Sequence, residues 1–408
     1  MIKRYVTSLK SLLDNLHSYR RSPYSHIEKW LLLQMKLLKK VTYLETRIQK
    51  SKLIIGQLKR NLKTPSGVKS KAESIVIKSK INTQFSRIED YKFLILCFKS
   101  IADGIAFTFI NKFDIKPQNF KEKTGFLVGK EGLKMELKTL KYSYKRGLIA
   151  ILNDLTTVLK YNDLTILTSK EAISVEVKSS ALESSRNERQ KVKSEKLFNY
   201  LDTGETTELY GFGGTFLRQS METPERHYSK KLNWIIDKSK KDGVAHLLIE
   251  PGLVYFVCHL PELVETELDI VKEKYSIEAP LFHSLNSNKF HGEGYYPFSL
   301  NLRSDNYLDL LLGEYVVLIL LDLKRIESVS LRKGFKAKYV HGKDWVFEFY
   351  RFDGEKALVM SNHLLGRVFA EFISPKQLIE DGFLQYDKMM KQYETAHNNS
   401  IAKSRAGS

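Results

Sequence analysis

The apolar side chains of this chain change their spacing at Tyr161, and no other feature limits the fold as tightly. Over residues 26–62, Ile27, Trp30, Leu31, Leu38, Val41, Leu44, Ile48 and Ile55 recur at helical spacing with Lys and Arg between them. Residues 131–160 repeat that style through Leu133, Leu137, Leu140, Tyr144, Leu148, Ile151, Leu155 and Val158, which predicts a second long helix. After Tyr161, Leu164 and Ile166 alternate with Thr165 and Leu167, and Ile173, Val175 and Val177 alternate with Ser174, Glu176 and Lys178. A period of two puts successive side chains on opposite faces of an extended strand. Residues 163–168 and 171–178 therefore predict a β-hairpin turning at Ser169-Lys170.

The hairpin has chemical consequences. If Ser169-Lys170 is the loop, Thr168 pairs with Glu171, and the same register carried back sets Asp163 opposite Glu176. Directly opposed residues point to one face with Cβ atoms about 4.5–5.5 Å apart. Lys178, two residues from Glu176, shares that face. Two carboxylates so close repel, and a hard divalent cation relieves the conflict; Mg²⁺ is commonly held by one or two carboxylates and several waters. Such a cation stabilises charge on a phosphoryl oxygen and acidifies a bound water. Lys178 can orient or deprotonate that water or stabilise the transition state. These are the parts of phosphodiester hydrolysis.

Asn162-Asp163, twelve intervening residues and Glu176-Val177-Lys178 within Ile-Ser-Val-Glu-Val-Lys-Ser-Ser resemble the PD-(D/E)XK, or restriction-endonuclease-like, nuclease superfamily. The resemblance spans roughly residues 101–260. It implies a helix–three-strand–helix–strand core, with Asp163 and Glu176 as ligands of Mg²⁺ or Mn²⁺ and Lys178 as the catalytic lysine. It also implies a polar residue reaching the site from the next helix, where Arg189 and Gln190 stand, Gln190 being the catalytic candidate. A metal-binding Glu from the preceding helix is implied too: Glu136 first, with Glu131 and Asp154 behind it. Two departures stand out. Asn162 replaces the proline common before the first aspartate, and no Gln-x-x-x-Tyr signature follows, so an endonuclease is expected rather than an exonuclease.

The charge of the chain supports a polyanionic partner. Its net charge is +19, and residues 1–100 hold 22 Lys and Arg against 6 Asp and Glu, or +16 of that total. A strongly positive segment beside a nearly neutral body suits nucleic acid, with DNA favoured over RNA. Cys97 and Cys258 are the sole cysteines, which excludes a disulfide framework and a thiolate metal site. No run is long enough to cross a bilayer, and the N-terminus lacks the apolar core and cleavage site of a secretory signal. The expected setting is cytoplasmic, without a membrane partner.

The expected fold class is α/β. A basic helical, coiled-coil-like arm covers residues 1–100, broken at Thr64-Pro65-Ser66-Gly67, with a buried helix over 85–110. A restriction-endonuclease-like core covers 101–260, an α+β accessory domain 261–391, and a disordered tail 392–408. The arm or the accessory domain is expected to serve self-association or a partner protein. Beyond the hairpin, Ser185 and Glu188 form a capping-box signature for a helix ending near Thr203-Gly204. A helix at 225–241 precedes strands at 244–249 and 253–260 around Pro251-Gly252, a type II turn pair. Further strands are expected at 313–323, 344–351 and 356–360, and helices at 363–372 and 375–392. Gly211-Phe212-Gly213-Gly214 has no following GK[ST] and reads as a flexible turn. Trp30, Trp234 and Trp345 read as core. His246 and His259 read as core histidines, not zinc ligands, and Tyr295-Tyr296-Pro297-Phe298 as loop packing. The functional expectation is a metal-dependent nuclease of restriction or phage defence; the alternative is a non-catalytic nucleic-acid-binding or assembly protein on an inactive nuclease fold.

Overall fold

The residues spaced for helix near the N-terminus form three helices, α1 (Val6–Arg20), α2 (Ile27–Lys63) and α3 (Lys71–Phe109). α3 begins at a capping box: the Ser70 hydroxyl accepts from the Glu73 N–H, and the Ser70 N–H donates to the Glu73 carboxylate. A single helix thus covers both the basic stretch and the buried stretch. α1 approaches α3 so closely at Gly104 that a Cβ there would lie 2.5 Å from Leu16 Cδ2. The computed structural model describes the whole chain except residues 64–69, 120–124, 169–170, 178–184, 210–211, 219–222, 260–263, 288–293, 343 and 407–408.

The helix expected over 131–160 is not one helix. α4 is a single turn (Lys112–Ile115), and α5 (Leu133–Lys145) stops at Arg146-Gly147, where Gly147 takes φ +75. Ile149–Leu152 then forms β1, followed by a 3₁₀ turn at Asn153–Leu155. Leu148, Ile151, Leu155 and Val158 continue the helical spacing by coincidence. A short, fully buried apolar run reads the same in either period, and the left-handed glycine decides against helix.

β1 pairs antiparallel with β2 (Leu164–Leu167), and β2 with β3 (Ala172–Val175), in the order β1-β2-β3. α6 (Ser185–Thr203) follows and ends at Gly204, φ +76; the expected Ser185–Glu188 cap involves side chains outside the described residues. β4 (Glu205–Leu209) and β5 (Phe212–Leu217) form a separate two-stranded sheet, so β4 does not extend β1-β2-β3. Gly213 and Gly214, expected in a flexible turn, lie within β5.

The chain divides into two compact units, Met1–Leu217 with Phe290–Leu300, and Arg218–Lys289 with Asn301–Ser408. The basic helices therefore share a unit with β1-β2-β3. In the second unit, α7 (Ser229–Asp242), β6 (Val244–Glu250), β7 (Leu253–Cys258), α8 (Val264–Lys274) and β8 (Pro280–Ser284) come first. After α9 (Phe298–Asn301) come α10 (Ser304–Leu312), β9 (Val316–Asp322) and α11 (Leu323–Leu331). β10 (Phe335–Tyr339), β11 (Trp345–Arg351), β12 (Lys356–Ser361), α12 (Asn362–Ala370) and α13 (Pro375–Ala406) complete it. The sheets run β6-β7-β9-β8 and β10-β11-β12. β7 is buried along its whole length. The turn before it needs Gly252, which has φ +86 and no room for a Cβ beside Arg325. α13 continues to Ala406, through the polar tail expected to be disordered.

The molecule is mixed helix and sheet, and every ladder among the described residues is antiparallel. Among those residues no helix is long and apolar enough to cross a membrane. Trp30 is fully buried, but Trp234 is 54% exposed, against the expectation of a core position. It sits on α7 at four-residue steps from Lys230 and Lys238, so its neighbours along that face are cations rather than apolar groups.

Candidate active site

The β2–β3 register pairs Leu164 with Val175, Thr165 with Ser174, Ile166 with Ile173 and Leu167 with Ala172. The Thr168 N–H donates to the Glu171 carbonyl, as the register drawn from the sequence requires. The ladder ends before Asp163. There the Asp163 N–H still donates to the Val175 carbonyl, and its Oδ2 accepts from the Val177 N–H at 2.9 Å. Asp163 is thereby tied to the strand end that carries Glu176-Val177.

The approach to Asp163 explains the missing proline. Asn162 has φ 57, in the left-handed region, which asparagine tolerates and proline, fixed near −65°, cannot reach. Its side-chain amide donates to the Ser174 hydroxyl at 2.9 Å. Asn153, fully buried just after β1, binds the same bend: its Nδ2 donates to the Tyr161 carbonyl, its Oδ1 accepts from Thr165, and its N–H donates to the Asp163 carbonyl. These bonds set Asp154 and Asp163 side by side.

Three carboxylates converge there on one ammonium. Lys130 Nζ lies 2.8 Å from Glu136 Oε1, 2.8 Å from Asp154 Oδ2 and 2.9 Å from Asp163 Oδ1. Glu136 projects from the first turn of α5, where the helix dipole favours a carboxylate, and its side chain is 1% exposed. Gly132 makes room for it, since a Cβ there would lie 3.0 Å from Glu136 Oε1. The second oxygen, Oε2, is buried with no hydrogen-bond partner. Burial pushes the Glu136 carboxyl above the usual range against the opposing Lys130 hydrogen bond, and the charges of Asp163 and Asp154 push it further. Burial also works to lower the Lys130 ammonium, but its bonds to Asp154, Glu136 and Asp163 outweigh burial and hold its pKa above the ordinary lysine value.

The basic helices α2 and α3 support this cluster. Glu45 of α2, buried, accepts from the Val128 N–H at 2.9 Å and so holds the turn that carries Lys130. Lys99 of α3 donates to the Asp154 carbonyl at 2.7 Å. Burial lowers its pKa, and the charges of Asp154, Glu45 and Asp103 resist that. Gln34 of α2 covers the free edge of β1: its Nε2 donates to the Ala150 carbonyl at 2.8 Å, and its Oε1 accepts from the Leu152 N–H at 2.9 Å. Asp103 of α3 accepts from the N–H and hydroxyl of Thr157, and burial pushes its pKa up to about 6.

Of the residues marked from the sequence, Asp163 and Glu136 meet here, joined by Asp154. Glu176 follows β3 and is exposed, as is Glu131. Lys178 and the side chains of Arg189 and Gln190 lie outside the described residues. Lys130 was missed. Its one signal is a position between Gly129 (φ 85) and Gly132, in a turn opening a helix with a Glu in its first turn. Asp154, ranked behind Glu136, lies not in the helix expected over 131–160 but in the 3₁₀ turn after β1. Among the described residues, no group of three or more His, Cys, Asp or Glu is arranged to hold a metal ion directly; the cation seen among these carboxylates is the lysine ammonium. Comparison with models of known families finds no match, and comparisons with curated proteins and with solved structures find none either.

Proposed function

We propose that this chain is a metal-dependent phosphodiesterase acting on nucleic acid, DNA before RNA and internally rather than from an end, with its centre where α5, β1 and β2 meet. One observation carries the reading: Glu136, Asp154 and Asp163, from three separate elements, converge on a single cation position. The orphaned, buried Oε2 of Glu136 fits a further positive ligand. Oxygen-only donors of this kind suit Mg²⁺ or Mn²⁺. Bound there, such an ion supplies positive charge against a phosphoryl oxygen and acidifies a water.

The chain's own residues do the rest. The Val177 N–H holds one oxygen of Asp163 and leaves the other for the site. Glu176, one residue before Val177, is the proposed further ligand; Lys178 is the proposed catalytic lysine, and Gln190 the proposed polar contact from α6. The order α5-β1-β2-β3-α6 agrees with the helix–three-strand–helix portion of the superfamily resembled in sequence. The exposed lysines and arginines of α2 and α3 would hold the phosphate backbone without reading its sequence. A role in restriction or phage defence belongs to the same proposal.

The inert alternative also has an observation behind it. An ammonium that satisfies three carboxylates is how a purely structural ion network looks, and a nucleic-acid-binding protein could keep one. Incubation with plasmid, linear and single-stranded DNA and with RNA, in Mg²⁺ or Mn²⁺ and in EDTA, separates the two. The nuclease reading expects metal-dependent cleavage that falls by about 100-fold or more in Asp163→Asn and in Lys178→Ala while binding persists. Salt-sensitive binding without cleavage would establish the inert alternative.

A further inference from the structure

We propose that Lys130 is the resident counter-ion of the carboxylate site, so that cation uptake and withdrawal of the Lys130 side chain are one exchange. The proposal rests on the metal-dependent reading above. An ammonium has three N–H donors, and all three carboxylates lie within donating distance of this one, at 2.8, 2.8 and 2.9 Å. A divalent ion bound by the same three carboxylates would need the space between them that the ammonium fills, with their oxygens drawn in from the 2.8–2.9 Å they now keep. The two cations cannot share that space. The buried Oε2 of Glu136 has no partner, so the ammonium does not use up the oxygen donors of the site.

The surroundings permit the exchange. Lys130 keeps 30% of its side chain exposed, whereas Asp154 and Asp163 keep 14% and Glu136 1%, so its outlet faces solvent while its partners are more deeply buried. The carboxylates sit on α5, the turn after β1 and the start of β2. Lys130 sits on a turn, next to Gly129 at φ +85 with open space where a Cβ would be. The Glu45–Val128 bond anchors that turn two residues before Lys130, so the side chain can leave without the turn unfolding.

The test uses Mn²⁺ with the full chain. Binding of Mn²⁺ to the parent, Lys130→Met and Asp163→Asn proteins is measured by loss of the free-ion paramagnetic signal. Lys130→Met should bind at least about ten-fold tighter than the parent, and Asp163→Asn should bind more weakly than either. In parallel, the parent is acylated with a lysine-specific reagent and Lys130 is followed by peptide mass analysis; Mn²⁺ should raise its labelling several-fold. That second measurement needs no variant, so it stands if Lys130→Met fails to fold. Unchanged or weaker Mn²⁺ binding by folded Lys130→Met, or Lys130 labelling that does not rise while Mn²⁺ binds, overturns the exchange. If metal-dependent cleavage persists in that case, the exchange alone has failed. If no protein binds Mn²⁺ and none cleaves, the metal-dependent reading has failed with it.

Discussion

Asp103 is 5% exposed, and burial raises its carboxyl to about 6 although the Thr157 hydroxyl and N–H favour the charged form. An acid with a raised folded-state pKa binds a proton in the native chain that the unfolded chain has already released. Between about pH 4 and pH 6 the native state therefore holds more protons, and stability falls as pH rises through that window. Asp103→Asn keeps the shape, can still bond to Thr157 and does not titrate. In urea unfolding at about pH 4.5 and pH 7, the variant should gain on the parent at the higher pH by on the order of 1–3 kcal/mol; equal differences at both values would rule the account out. Legibility at this scale was uneven. Asp163 stood out because a period of two fixes which face a residue takes, and Glu136 because a Glu on the preceding helix was part of the resemblance. Lys130 did not, because one lysine in a turn looks like any other until three acids from distant positions surround it. Asn162 looked like a departure, and its left-handed backbone shows it to be the residue that the bend demands.

Strand β1 lies at the edge of its sheet, and a buried edge leaves backbone groups that must find partners. Gln34 satisfies two of them from α2 and also donates to the Tyr144 hydroxyl at 3.0 Å. Gln34→Ala would strand the Leu152 N–H in the interior, while the Ala150 carbonyl would keep the Tyr144 hydroxyl as a donor. The expected cost is about 1–3 kcal/mol of stability, with faster amide exchange at Leu152 than at the paired amides of β2. Unaltered Leu152 exchange would remove Gln34 from this role. α2, β2, β3, α6, β6 and β7 were readable from periodicity and their stop signals. β1 was not: four buried residues, Ile149–Leu152, carry too few positions to separate a strand from a helix, and Gln34, the residue that completes the strand, lies more than a hundred positions upstream.

Across the molecule, positive charge is gathered on the first hundred residues, where Lys39, Lys50, Arg60, Lys78 and Arg87 are exposed on α2 and α3. If phosphates bind there, affinity should fall steeply as salt rises from about 50 to 200 mM, with a log–log slope near −0.9 per phosphate neutralised. Lys39→Ala with Lys50→Ala should weaken binding to all sequences alike and flatten that slope by about 2. An unchanged slope in fluorescence anisotropy would move the phosphate contacts elsewhere. The bonds from Glu45 to Val128 and from Gln34 to Leu152 join segments 83 and 118 residues apart. They also put a clock on synthesis. At about 5–20 residues per second, α2 leaves the ribosome on the order of ten seconds before β1 exists to meet it. For that interval α2 has only other helices for company, and Gln34 and Glu45 wait for distant partners. The site thus cannot close until β2 has been made, and a nascent chain cut off before Asp163 carries no finished cluster.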